Sequence, residues 1–381
     1  MKKVLFLQNI GNSYGGVWFV NKTIAEELIK KNYDVEILSI RDSHDNITLE
    51  HDKKLKVSIV NKKNLWEITH FEDIKNKLIH MKLFSAIKLS LKKIKDEFFL
   101  KKDYNYVKKY IIKNKFDYIV TSHYQVLDCI PKKYLKKTIH EQHTSFETSI
   151  SHKGTKKAFD KYNGKIKFLW LSKKSCELAK KNGYINSTYI YNPIKFQCSS
   201  KANVFKNKKL ITISRLSSEK RIDLMINIVN EIFKDKELND WTLEIYGEGN
   251  LKKQLLNLNY DRNRIKLMGL TNDSKGVLMN SSINLNTSSF EGFSMGILEA
   301  CECGVPTVSF RFGEAIDEEI INNKTGIIVT QDDIANYKKQ LVSLMKNKDM
   351  LEKMSINCKK NSEKFNITNI IKEWIKLFNN I

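Results

Sequence analysis

The segment Glu291-Gly292-Phe293-Ser294-Met295-Gly296-Ile297-Leu298-Glu299-Ala300 places two carboxylates around a glycine-containing turn. It follows an apolar run, Ile283 to Asn286, that reads as a strand, and it opens a helix from about Ser294 to Cys303. At such a junction the N–H groups of Gly292, Phe293, Ser294 and Met295 are free of intrahelical partners and lie beside the positive end of the helix dipole. That is a seat for a phosphate. Glu291 falls in the loop, while Glu299 falls in the second turn, where side chains lean back toward the helix N-terminus. The two acids are therefore expected to converge on hydroxyl groups flanking one diphosphate.

Upstream, Ile213-Ser214-Arg215-Leu216-Ser217-Ser218-Glu219-Lys220 again lies at a strand end. Arg215 can meet a diphosphate as a planar fork and Lys220 as a point charge. No D-x-D motif occurs in the chain. Fixed cations, with no metal and no cofactor, are thus expected to stabilise a phosphate leaving group. A third phosphate-binding candidate is the loop carrying Gly11, Gly15 and Gly16, which meets the start of a helix at Val17. Its spacing is not G-x-G-x-x-G, so it indicates a close backbone approach and not a dinucleotide fingerprint.

These loops need elements to hold them. The apolar run Val4 to Leu7, the helical spacing of Val20, Ile24 and Leu28, and the alternation from Asp34 to Ile40 predict a β-loop-α-β opening. Tyr118 to Thr121, Thr138 to Thr144 and Lys167 to Ser172 predict further strands. Ser122, His123, His140 and His143 fall at strand ends, where open parallel sheets place their ligands. Periodicity is lost between Tyr191 and Asn207, as in a linker. A second series then follows, with strands at Leu210 to Ser214, Trp241 to Tyr246, Ile265 to Met268, Ile283 to Asn286, Thr307 to Phe310 and Gly326 to Val329. Helices are expected at about Ile222 to Phe233, after Leu251, and near 334–346, 348–363 and 367–379. The fold class is α/β, with two parallel layered units.

The length of 381 residues and 41% hydrophobic content suit two domains with sizeable cores, and exclude a disordered or disulfide-stapled chain. Six scattered cysteines read as reduced thiols. No apolar run reaches the roughly 18–20 residues of a membrane span, and the N-terminus lacks a secretory cleavage pattern, so a cytoplasmic protein is expected. The net charge of +23 raises nucleic acid or anionic membrane as partners. It rests on 60 Lys against 6 Arg, however, and base and phosphate readers favour the guanidinium fork. No nucleic-acid partner is expected. Residues 72–115 set apolar side chains among lysines in one or two amphipathic helices, and two readings stand: a solvated face over a core stripe, or attachment to the anionic inner face of a cell membrane.

Taken together, Ser214-Arg215-Leu216 with Lys220, Tyr246-Gly247-Glu248-Gly249, Met268-Gly269, the Glu291–Ala300 segment and Gly304-Val305-Pro306-Thr307-Val308 resemble the retaining GT-B glycosyltransferases of family 4. The resemblance spans about 210–330, and the glycine loop extends it to the N-terminus. It implies two Rossmann-like domains facing a cleft: residues 1–191 on the acceptor side, 192–365 on the nucleotide-sugar side, and a helix at 366–381 returning to the first domain. It further implies Arg215 and Lys220 on the donor diphosphate, assisted by the backbone of Ser294 and Met295 beside Gly292 and Phe293. Glu299 would take the ribose hydroxyls and Glu291 those of the donor sugar. The backbone around Met268 would meet the base, with Gly247 allowing close approach, and Gly15 and Gly16 would close over the phosphates. His143 resembles the family histidine near the reacting sugar, with His140 as its rival.

The activity implied is metal-independent transfer of a hexose or N-acetylhexosamine, UDP-linked by family precedent, to a hydroxyl of a cell-surface glycan or lipid-linked acceptor. Two other classes compete. One is a non-catalytic sugar-nucleotide or carbohydrate-binding protein on the same fold, and the retained donor loop argues against its carbohydrate-binding or scaffold form. A nicotinamide-dependent oxidoreductase leaves the paired acids and paired cations without a task.

Overall fold

The computed structural model describes residues 1–11, 16–42, 51–61 and 83–381. Seven strands, β1 (Lys3–Gly11), β2 (Asp34–Asp42), β3 (Lys56–Asn61), β4 (Tyr118–Thr121), β5 (Thr138–Gln142), β6 (Lys167–Trp170) and β7 (Ser187–Tyr189), form a first sheet in the order β3-β2-β1-β4-β5-β6-β7. Six more, β8 (Lys209–Ile213), β9 (Thr242–Tyr246), β10 (Ile265–Gly269), β11 (Ile283–Asn286), β12 (Thr307–Phe310) and β13 (Gly326–Val329), form a second sheet in the order β10-β9-β8-β11-β12-β13. The pairings within both sheets are parallel. Parallel strands must be covered on both faces, which explains why β4, β11 and β12 are buried along their whole length.

Each sheet reverses its strand order once, between β1 and β4 and between β8 and β11. At such a reversal the connections leave in opposite directions and open a crevice beyond the strand C-termini. The loops after β8 and β11 hold Arg215, Lys220 and Glu291, so the fold itself brings the charged segments together.

Helix Gly16–Lys30 and the last helix, Ile367–Asn379, cover one face of the first sheet. Ile370, Ile371, Trp374, Leu377 and Phe378 share a core cluster with Val4, Phe6 and Trp18. Phe378 stacks on Tyr118 with ring centroids 4.4 Å apart. Burying an apolar side chain of this size contributes about 1.5–3 kcal/mol. The chain thus crosses from the first sheet to the second near Ile194 and returns near Asn366, and these two crossings pair as a parallel bridge.

Of the Lys-rich stretch, residues 72–82 lie outside the described residues. Helix Leu83–Asn114 follows, with Val107 and Ile111 buried against Leu5, Leu7, Leu38 and Ile40, while Lys101, Lys102, Lys109 and Lys113 are exposed. This part of the helix is a core stripe under a solvated basic face. Among the described residues no helix is long and apolar enough to cross a membrane. All six cysteines are free and buried.

Short elements that periodicity did not reveal complete the framework, among them β3, β7 and the helices Phe146–Ser151 and Lys153–Tyr162. The strand β7 has only three residues, too few to show alternation.

Candidate functional site

The 3-10 turn Ser218–Lys220 ends at Arg221 in the left-handed region, φ 52°. That turn is tied to the loop after β11: the Thr287 hydroxyl donates to the Lys220 carbonyl at 2.9 Å, and the Ser289 N–H donates to the Glu219 carbonyl at 2.8 Å. Pinning the two loops together fixes Lys220 against Glu291, with Nζ 2.9 Å from Oε2. The other Glu291 oxygen accepts from Asn286 Nδ2 at 3.0 Å and from the Ser288 hydroxyl at 2.7 Å. A carboxylate with this many directional donors is held in one rotamer.

These residues line a cleft of about 460 Å³ between the two sheets. The second sheet contributes Ser214, Arg215, Lys220, Glu291 and the turn Gly292–Gly296; the first contributes Gly16, Val17, His143, Thr144, Leu171 and Asn192. Arg215 is mostly exposed and pairs with Glu219 at 3.1 Å, so its guanidinium stands at the mouth while Lys220 sits deeper. Asn192 and Ser214 each carry a buried side-chain oxygen with no partner. Both line the cleft, where a bound ligand would supply one.

The sequence left His140 and His143 as alternatives, and the structure separates them. His143 lines the cleft, its Nε2 3.0 Å from Glu141 Oε2. His140 is fully buried between Phe159 and Phe168, bonded to Thr121 and Gln142, and burial pushes its pKa down to about 3. Glu141 itself was missed. Period-two spacing along a strand puts residues 141 and 143 on one side, and that was the available signal.

Other expected positions fall elsewhere. Glu299 is buried on helix Met295–Glu302 and pairs with Lys195 at 3.2 Å. Met268 lies at the exposed end of the edge strand β10, outside this cleft. Gly247, at φ 145°, is crowded from within the protein, since a Cβ there would stand 1.8 Å from the Ser214 carbonyl oxygen. Its glycine serves the approach of two strand ends. Gly15 lies outside the described residues; Gly16 begins the first helix and lines the cleft.

The turn Gly292–Gly296 carries one further difference. The Ser294 N–H is not free but donates to both oxygens of Glu319, each at 3.1 Å. Glu319 is fully buried, and burial together with the charge of Glu291 holds its carboxyl well above the usual range. The anion seat at this turn accordingly loses the Ser294 N–H. Nothing in the sequence distinguished Glu319 from its acidic neighbours. Phe293 borders the cleft but packs into a small core with Leu171, Ile194, Leu298, Ala315 and Phe365.

Residues 197–361 match the family model described as glycosyl transferases group 1. An uncharacterized glycosyltransferase of Haemophilus influenzae is 25% identical over 98% of this chain and 99% of its own length. The poly(ribitol-phosphate) alpha-N-acetylglucosaminyltransferase of Staphylococcus aureus is 27% identical over 46% of this chain, a match that spans only 36% of that enzyme. Among solved structures, S. aureus TarM, crystallised as a mutant with fondaparinux, alpha-GlcNAc-glycerol and UDP, superposes with a TM-score of 0.75 at 15% identity, covering both chains fully. With its two parallel sheets and the cleft between them, the chain has the GT-B fold, and its residues 197–361 match the glycosyl transferases group 1 family.

Proposed function

We propose that the cleft binds a UDP-linked hexose or N-acetylhexosamine and transfers the sugar, with retention and without a metal, to a hydroxyl of a cell-surface glycan or lipid-linked acceptor. The observation that carries this reading is the Lys220–Glu291 pair on the cleft wall. It sets a cation and a hydroxyl-binding carboxylate side by side, as the diphosphate and the sugar of such a donor require. Arg215 at the mouth and the N–H groups after Ser294 add positive potential around the same point. The UDP bound to TarM, and the sugar named for the staphylococcal enzyme, support the choice of donor.

In the reaction the acceptor oxygen forms a bond to the anomeric carbon as the bond from that carbon to the phosphate oxygen breaks. The acceptor proton passes to the departing phosphate, so no separate base is needed. Charge grows on the phosphate as it leaves, and Lys220 and Arg215 stabilise that state more than the bound donor. Glu291 orients the sugar through its hydroxyls. His143, 3.0 Å from Glu141, faces the same space from the first domain. A lipid-linked acceptor would be met at an anionic surface by Lys101, Lys102, Lys109 and Lys113 of helix Leu83–Asn114.

A panel of nucleotide sugars tested by thermal shift, followed by turnover of the stabilising donor, tests the reading. A donor present at 100 times its Kd stabilises the fold by about 2.7 kcal/mol. Selective stabilisation by UDP-sugars with release of UDP is the expected result. Stabilisation with no turnover against any acceptor or water would leave a binding protein.

A further inference from the structure

Three carboxylates near the end of one segment, Glu314, Glu318 and Glu319, each accept backbone N–H groups at the start of a different helix. Glu318 takes the N–H groups of Lys173 and Lys174 on its two oxygens, both at 2.9 Å. These open helix Lys173–Lys181 of the first domain, whose next N–H, at Ser175, is taken by Ser172. Glu314 Oε1 accepts from the Phe146 N–H at 2.6 Å and from the Ser175 hydroxyl at 3.0 Å, so it joins two first-domain helices. Glu319 holds Ser294 on the donor turn.

The same contacts reach the cleft. The Tyr191 hydroxyl donates to Glu318 at 2.7 Å while its ring stacks on Phe293 of the donor turn, with centroids 5.6 Å apart and planes 22° apart. Tyr191 precedes Asn192, which lines the cleft. The spacing of the domains is tight here: a Cβ at Gly292 would stand 2.1 Å from the His143 carbonyl oxygen. The apolar cluster around Phe293 provides adhesion, but apolar contact is non-directional and permits sliding. Carboxylates seated on helix N-termini are directional and fix the register.

We propose that Glu314 and Glu318 are positioning residues of the transferase: they hold the first domain, with His143 and Asn192, in register with the donor turn that Glu319 anchors. The proposal rests on the cleft being the transfer site, as argued above. Opening of the cleft releases the Glu314 and Glu318 contacts while leaving the donor-binding loops of the second domain intact.

The test uses the full chain and the variants Glu314→Gln, Glu318→Gln and the double variant, with UDP as the binding probe. Amide hydrogen exchange at Phe146, Lys173 and Lys174 reads the contacts without reference to activity. The expected result is at least tenfold loss of protection at these amides in the double variant, with UDP affinity within threefold of wild type. Turnover of the wild type's donor should fall at least tenfold in kcat, with little change in donor KM. Asp317→Asn, which removes a pair with Arg311 inside the second domain, should keep wild-type turnover. Already fast exchange at the three amides in wild type overturns the proposal, as does a double variant with wild-type kcat. A parallel loss of melting temperature, UDP binding and turnover would show a merely structural role and overturn it too. Wild type that turns over no nucleotide sugar would refute the transferase reading instead, while the exchange data still decide whether the contacts hold the domains.

Discussion

Lys220 Nζ and Glu291 Oε2 lie 2.9 Å apart, the two side chains coming from loops after β8 and β11 on either side of the reversal in the second sheet. The charge proposed to receive the diphosphate is therefore already in contact with the carboxylate proposed to receive the sugar. Removing either partner alone should have two separable effects. Lys220→Ala leaves a largely buried carboxylate short of a partner, a cost of about 1–3 kcal/mol visible in the melting temperature. It should also lower turnover about 10²- to 10³-fold by removing stabilisation of the leaving phosphate. The double variant Lys220→Met/Glu291→Gln should recover the melting temperature and not the turnover. Recovery of both would mean that the pair is structural.

Gly292 has no room for a side chain, because the His143 carbonyl of the other domain occupies the space. Gly292→Ala must push the domains apart or distort the turn, and overpacking of this kind costs typically about 1–3 kcal/mol. Transfer should fall at least tenfold while nucleotide affinity, which the proposal assigns to the second domain, changes less. Kinetics combined with calorimetric titration of UDP checks this. Unchanged transfer would show that the cleft tolerates a wider spacing.

Much of this arrangement was legible in the sequence. The strands of the second sheet, its long helices and the loops bearing Arg215, Lys220 and Glu291 follow from apolar runs ended by polar or glycine-containing turns. Glu319 was not legible, since it gains its task only when the fold brings two distant segments together; Glu141, Asn286 and Ser288 lie within five residues of their partners, and only local spacing pointed to them. Lys195, which pairs with Glu299, was not legible either, because it comes from the crossing segment, which has no periodicity to read. Glycine spacing alone did not show that Gly247 is crowded by the Ser214 carbonyl.

Two buried groups give stability opposite pH slopes. His140 has a folded pKa near 3, below its ordinary value of about 6.5. Its contribution is complete above 6.5 and is lost as the pH falls toward 3, because unfolding then takes up a proton. Glu319 has a raised pKa, so its contribution is complete below the ordinary glutamate range and is lost as the pH rises. Melting temperature should fall on acidification below about 6.5, with a slope reduced by up to one proton in His140→Gln. An unchanged slope in that variant would contradict the assignment. Glu319→Gln should flatten the alkaline side instead.

If Lys220 and Arg215 meet the diphosphate as proposed, added chelator should leave turnover unchanged. A rate abolished by EDTA and restored by Mg²⁺ or Mn²⁺ would show that these two cations are not sufficient.

The most direct test of the central claim is turnover of a labelled UDP-sugar by wild type, Lys220→Ala and Glu291→Gln, each confirmed folded by its melting curve. The account predicts release of UDP by wild type, product with the anomeric configuration of the donor, and losses of about 10²-fold or more in both variants. Near-wild-type turnover in either folded variant, or an inverted product, would contradict it.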